Sequence, residues 1–253
     1  MTNLKVALQL YTLRDYDKED FAGKLRKVRE AGYDGVEFAG FHGIPAEELK
    51  ATLDSLQLAS MGSHTRIEEL LNHLDEVVTY NQTIGSSYIV IPYYEMTSEE
   101  HVQALIGIVK EIAPKIRAAG MDLLYHNHYH EFMNDFGDKP ILETLKEATS
   151  ANELNFEIDM FWTTHAGRNP VDVMQQFGPR CKTVHLKDMV SRESKEMTEL
   201  GTGILDLSGI LAKAQASNYE WVVVEQDRIN IDGYVSVKQS LDHVKALLQG
   251  QGN

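Results

Sequence analysis

The sequence predicts an α/β fold, a single (β/α)8 barrel over residues 1–253. Three observations carry that expectation. Short β-branched runs alternate with longer amphipathic stretches along the whole chain, the pattern of a parallel sheet with crossover helices. The alternation occurs eight times at roughly 25 to 40 residues per unit, which suits a closed barrel. The competing fold, an open doubly wound sheet, usually carries a glycine-rich turn after its first strand. Here that turn reads "YTLRDYD" and has no glycine.

Each unit can be justified in order. Strand one is "KVALQL" (5–10), and the helix over 18–32 closes at Gly32, a left-handed cap that glycine favours. Strand two is "YDGVEF" (33–38), and Pro45 stands near the first turn of the helix over 44–56. Strand three is "LASMGSH" (58–64), followed by one long amphipathic helix over 66–85. Strand four is "SYIVIP" (87–92), and Pro114 predicts a kink in the helix over 98–120. Strand five, "MDLLYHNH" (121–128), precedes a helix over 140–149, and strand six, "LNFEIDMF" (154–161), precedes a short one over 169–177. Strand seven, "CKTVHLKD" (181–188), and strand eight, "WVVVEQD" (221–227), are followed by helices over 206–218 and 235–249.

Composition narrows the function. Hydrophobic residues make up 43% and charged residues 25%, ordinary for a soluble globular protein. No apolar run is long enough to cross a bilayer, and Gln9, Tyr11 and Arg14 break the N-terminal apolar stretch, unlike a signal peptide. A cytoplasmic protein without a membrane partner is therefore expected. The net charge of −14, with no basic cluster, argues against nucleic acid. The one cysteine, Cys181, rules out an internal disulfide and reads as a buried thiol at a strand start. A homo-oligomer is compatible with all of this.

Chemistry in such a barrel belongs at the C-terminal strand ends. Glu37 ends strand two and His64 ends strand three. His126 and His128 end strand five, two apart and so on one face. Glu157 and Asp159 share a face of strand six, His185 and Lys187 share one on strand seven, and Glu225 ends strand eight with Asp227 two beyond. Strand interiors are Val, Ile, Leu, Phe and Ala. Each polar residue has a plain reading as a paired or solvated group, but their regular placement points to a polar active site. Carboxylates and imidazoles with few thiols suit Mg²⁺, Mn²⁺, Co²⁺ or Zn²⁺. Carboxylates facing one another also repel unless a cation lies between them.

The stretches "LQLYTLRD", "YHNHYHEF", "EIDMFW", "HLKDM" and "VVVEQD", in that order and on the expected strands, resemble the xylose isomerase-like TIM-barrel superfamily, and more narrowly its sugar phosphate isomerase/epimerase group. The resemblance implies a TIM barrel holding one divalent metal through Glu, Asp, His and Glu on strands five to eight. Asp159, His185 and Glu225 match three of these. At the strand-five position the sequence has His126 in "HNH". His126 or His128 replaces the glutamate, or Glu131 reaches back from the loop. Glu131 is the favoured fourth ligand, since a third carboxylate suits Mn²⁺ or Mg²⁺ better. Ketose 3-epimerases and the endonuclease of the superfamily carry a histidine three residues after the strand-six aspartate. Here that position is Trp162, which speaks against endonuclease activity and leaves a sugar-ring platform or a rim aromatic as its role.

The resemblance implies an isomerase or epimerase that acts on a small carbohydrate, a sugar or keto-sugar, through an enediolate. Candidate acid and base groups are Glu131 and Glu225, or His126 and His128, with Lys187 holding an anionic oxygen. Arg14, Glu37, His64 and Trp162 are candidates for substrate contacts. The same enediolate can expel a substituent, so a lyase or dehydratase on a 3-keto-sugar or inosose is the alternative. The loops after strands seven and eight offer glycines in "LGTGILD" but one arginine in "EQDRIN", which favours an unphosphorylated substrate. A non-catalytic sugar-binding barrel using Tyr11, Phe38, Tyr93 and Trp162 is the reading from a different class.

Overall fold

Eight parallel strands close into a barrel in the computed structural model, which describes residues 4–133, 136 and 138–250. They are β1 (Lys5–Gln9), β2 (Gly35–Phe38), β3 (Ala59–His64), β4 (Tyr88–Ile91), β5 (Asp122–His126), β6 (Asn155–Asp159), β7 (Cys181–Leu186) and β8 (Trp221–Val224). Each pairs with its neighbour in sequence, and β8 closes on β1 with Lys5 beside Trp221 and Leu8 beside Val224. Helices at Phe21–Ala31, Ala46–Leu56, Leu74–Ile84, Glu99–Ala118, Ile141–Ala148, Pro170–Phe177, Leu207–Ala216 and Gly233–Leu248 follow the strands in turn. Among the described residues no helix is long and apolar enough to cross a membrane.

The period of two decides what each strand shows to the interior. Val6, Leu8, Val36, Phe156, Ile158, Val184, Leu186, Val222 and Val224 join the large apolar layer shared with the helices. The alternate residues face the barrel axis. At its floor Ala7, Met61, Trp221 and Val223 form a separate apolar cluster, with Tyr88 against it. Two residues beyond Ala7 and Val223 come Gln9 and Glu225, with Glu37 beside Gln9 on β2 and His185 beside Val223 on β7. The alternation that stops the floor with hydrocarbon thus carries polar groups to the mouth. The register of β2 on β3 steps from Ser60 to Gly62, skipping Met61, so Met61 and His64 both turn inward despite their odd spacing.

Local chemistry sets the element ends. Gly32 closes the first helix at φ 108°, as expected of a glycine cap. Asp20 opens that helix by accepting from the Gly23 amide at 2.7 Å. The long helix expected over 66–85 is two pieces, Ile67–Asn72 and Leu74–Ile84, broken at His73, whose φ of −137° is not helical. Strand six stops at Asp159, earlier than its apolar run suggested, because the Asp159 carboxylate caps a new helix, Met160–His165, through the Trp162 amide at 2.8 Å. Strand five stops at His126, so His128 lies in the loop beyond it. Pro114 sits inside the helix Glu99–Ala118.

Gly35 marks the tightest point of the floor. A Cβ there would lie 2.8 Å from the Ala59 carbonyl oxygen and 2.8 Å from the Trp221 ring. Gly35→Ala is expected to lower stability by about 1–3 kcal/mol through overpacking, measured by urea unfolding. An unchanged midpoint would show that the floor yields freely.

Candidate active site

His185 is the hub of the polar interior. Its Nδ1 lies 2.7 Å from Glu225 Oε2, and its Nε2 lies 2.7 Å from Glu37 Oε2 and 2.9 Å from Glu157 Oε2. His126 Nδ1 stands 3.2 Å from Glu157 Oε2, and its Nε2 stands 3.8 Å from Asp159 Oδ2. His64 Nε2 reaches Glu157 Oε2 at 2.9 Å and Glu37 Oε2 at 3.3 Å. Gln9 donates to Glu37 Oε2 at 2.7 Å. Lys187 Nζ sits among three carboxylates, 2.6 Å from Glu225, 3.0 Å from Asp159 and 3.2 Å from Asp227. All of these are buried except His64 and Asp227 at the edge.

Burial and proximity divide the charges. Burial opposes charge on His185, but Glu157, Glu37 and Glu225 outweigh it and hold its pKa well above the usual imidazole value. Burial likewise opposes charge on Lys187, and Asp159 and Glu225 override it. Glu157 and Glu225 are driven up by burial yet end well below the usual range, Glu157 chiefly through His185 and Glu225 chiefly through Lys187. Glu37 is pushed up by burial and by the charge of Glu157, and Asp159 is pushed up by burial against the pull of Lys187. Burial, then the charge of His185, holds His126 well below the usual range. Positive charge on Lys187 and His185, with His64 also raised by Glu37 and Glu157 against its burial, therefore faces five carboxylates, of which Glu37, Asp159 and Asp227 have raised pKa.

That imbalance suits a divalent cation. One ligand atom each from His126, Asp159, His185 and Glu225 lies within 4.8 Å of the others. Asp159 Oδ2 is buried without a hydrogen bond, and its nearest charged neighbour is Lys187 Nζ at 3.0 Å. Two carboxylate oxygens and two imidazole nitrogens suit a borderline ion such as Mn²⁺, Co²⁺ or Zn²⁺. A second group, His64, His126, Glu157 and His185, shares the two middle histidines.

Glu131, the favoured fourth ligand, is placed elsewhere. Its Oε1 accepts from the Tyr125 hydroxyl at 2.8 Å, and its Oε2 accepts from the His128 amide at 2.9 Å. The reason is strand alternation: Tyr125 points outward where His126 points inward, and Glu131 follows Tyr125. His126 stands in the group instead. His128 lies above His126, with ring centroids 5.3 Å apart, and its Nδ1 is buried without a partner. Trp162 packs among Phe161, His128, Tyr129 and His165, and its Nε1 is also buried without a partner. Arg14 ties two rim loops, donating to the carbonyls of Asp227 at 2.7 Å and Tyr11 at 3.0 Å. Glu37 and His64, expected to touch substrate, belong to the buried network. In the sequence Glu157 has no role beyond a polar place on strand six, and none attaches to Gln9 or to Asn127, whose Oδ1 accepts from the Asp159 amide at 3.1 Å. Gln9 and Glu157 each announce themselves as a polar residue inside an apolar strand; Asn127 has no such signal.

A family model described as xylose isomerase-like TIM barrel matches residues 25–247, and the chain belongs to that family. Among curated proteins it is similar to an inosose dehydratase of Geobacillus kaustophilus, 22% identical over 88% of this chain and 86% of the relative. Among solved structures it is similar to a sugar phosphate isomerase/epimerase from Parabacteroides distasonis, with a TM-score of 0.81, 22% identity, and coverage of 96% and 94% of the two chains. It is also similar to a probable 3-DHS dehydratase involved in petrobactin synthesis from Bacillus anthracis, with a TM-score of 0.78, 16% identity, and coverage of 97% and 99%.

Burial pushes the Glu131 carboxyl from 4.5 up to about 7. Between those values the folded chain keeps a proton that the unfolded chain has lost. Stability therefore falls as pH rises through this window, by up to about 3 kcal/mol. In Glu131→Gln that component of the fall should vanish. Urea unfolding from pH 4.5 to 7.5 with a chelator present checks it; parallel curves for the two proteins would refute it.

Proposed function

We propose that this enzyme uses a divalent metal, with Mn²⁺ a fitting ion, and removes water from a keto-polyol of the inosose type. The observation that carries the reading is the convergence of His126, Asp159, His185 and Glu225 from β5 to β8 on one point, in an interior short of positive charge. A cation held by these four would polarise a substrate carbonyl and stabilise the enediolate left when the neighbouring proton departs. His126 takes the place of the glutamate expected on strand five, and Glu131 supports the loop.

The remaining groups suit elimination. Epimerisation asks two groups of comparable basicity to work on opposite faces of one carbon. Dehydration asks for one base and one dissimilar acid. Burial, with some repulsion from Lys187, lowers His128 to about 3, so it stays neutral at physiological pH. Its unpartnered Nδ1 is available to accept from substrate. Lys187 remains an ammonium and can hold the developing oxyanion. Asp227, raised to about 6 by burial and by Glu225, lies beside Lys187 and can pass a proton to the departing hydroxyl. Trp162 packs beside His128 and keeps a buried indole N–H without a partner. The names of the relatives from Geobacillus kaustophilus and Bacillus anthracis agree with dehydration. The likeness to the isomerase/epimerase from Parabacteroides distasonis keeps reprotonation of the same intermediate as the second reading.

Incubation of the Mn²⁺-loaded protein with an inosose in D₂O separates the two. Dehydration gives an unsaturated product with ultraviolet absorbance. Epimerisation returns deuterium-labelled substrate with no absorbance, and neither outcome across keto-polyols would remove the proposal. Metal retention tests the ligand set. His126→Asn should bind Mn²⁺ at least about 10-fold more weakly, while Glu131→Gln should bind it as the parent does; the reverse pattern would return Glu131 to the metal. Mn²⁺ at about 100 times its dissociation constant should stabilise the parent by about 2.7 kcal/mol. A melting temperature indifferent to Mn²⁺, Co²⁺ and Zn²⁺ would count against any metal centre.

A further inference from the structure

Both imidazoles in the metal group present one nitrogen to that group and turn the other away. His185 directs Nδ1 to Glu225 and Nε2 to Glu157 and Glu37. His126 directs Nε2 toward Asp159 and Nδ1 to Glu157. The two averted nitrogens meet at one atom, Glu157 Oε2, which lies 3.2 Å from His126 Nδ1 and 2.9 Å from His185 Nε2. Glu157 is fully buried, and its backbone is fixed two residues before Asp159 on β6. Glu37 Oε2 lies 2.7 Å from the same His185 nitrogen and 3.3 Å from His64, so Glu157 is the carboxylate that joins the two rings.

A neutral imidazole carries one proton, and a nitrogen that binds a metal must be the one without it. Opposite tautomers are therefore needed in the two rings: Nδ1–H in His126 and Nε2–H in His185. Left to themselves the rings would exchange between tautomers and rotate. A carboxylate acceptor on the averted nitrogen fixes both orientation and tautomer, and raises the basicity of the ligating nitrogen.

We infer that Glu157 is a positioning residue that sets both imidazole ligands at once, from the side of the barrel opposite the metal. This rests on the metal reading above and deepens it. Glu157 binds neither metal nor substrate. It accepts the Nδ1–H of His126 and shares the Nε2–H of His185 with Glu37, so that each free lone pair points into the group. The rival role for the same atoms is direct ligation, in which Glu157 with His64, His126 and His185 holds a second ion.

The test combines stoichiometry, affinity and a spectroscopic signature. Isothermal titration with Mn²⁺ should give one site in the parent. In Glu157→Gln it should still give one site, weakened about 10- to 100-fold, with the thermal unfolding transition retained as the control for folding. Nitrogen-15 spectra of imidazole-labelled protein loaded with diamagnetic Zn²⁺ should show Nδ1–H at His126 and Nε2–H at His185 in the parent. In the metal-free variant tautomer mixing should appear at His126, the neutral ring. Two Mn²⁺ per parent chain and one in the variant would make Glu157 a ligand and overturn the inference. So would equal affinity in both proteins, or the opposite tautomer at either ring. If the variant does not fold, the tautomers of the Zn²⁺-loaded parent still decide the question. If the parent binds no metal, the metal reading falls; the metal-free spectra then judge Glu157 alone, and rings unaffected by its loss would overturn its role.

Discussion

Everything near the mouth of this barrel depends on four carboxylates buried in a space that water barely enters. Glu37, Glu157, Asp159 and Glu225 are each at most 5% exposed. An isolated buried carboxylate is costly enough that it would neutralise or pull in a partner. His185 answers three of the four, and Lys187 answers Asp159 and Glu225. Removing either cation would leave several anions facing one another at short range, so the hub holds its neighbours as much as they hold it.

The scaffold around the hub is stiff for reasons that have little to do with charge. Barrel strands of four to six residues leave few positions per strand. Hydrocarbon fills the floor and seals the N-terminal end. Polar groups can then collect only at the C-terminal end, where the strands run out and their loops begin. On β6 the inward alternation places Glu157 two residues before Asp159, so one rigid segment holds both.

The rim is organised by backbone amides. Asp159 caps the helix carrying Trp162. Asp188, one residue past Lys187 and buried, accepts from the amides of Met189, Gly201, Gly203 and Leu205. A side chain at Gly203 would overlap that carboxylate, with a Cβ 2.3 Å from Asp188 Oδ1. The clasp folds the segment after β7 back on itself, so that Met189 and Met197 pack with Phe161, against Trp162 and Leu205. Asp188 thus shapes the wall beside the charged centre without entering it, whereas Asp159 belongs to both.

Periodicity alone determined much of this protein. The count of strands, their order, the inward face of each and the polar character of their ends all follow from the alternation of residue types, which is a local property. Asp159, His185 and Glu225 were legible as polar residues near the ends of otherwise apolar strands. Other features needed the closed fold. Glu131 reads as a ligand because a third carboxylate suits Mn²⁺ or Mg²⁺, yet its carboxylate is held by the hydroxyl of Tyr125, which points outward on the same strand as His126. Met61 and His64 share the interior only through a bulge that no residue pattern announces. Glu157 could be seen as one more polar residue on strand six. Its position between His126, His185 and His64 arises only when strands distant in sequence close around one axis, since distances across a barrel are set by closure and not by spacing along the chain.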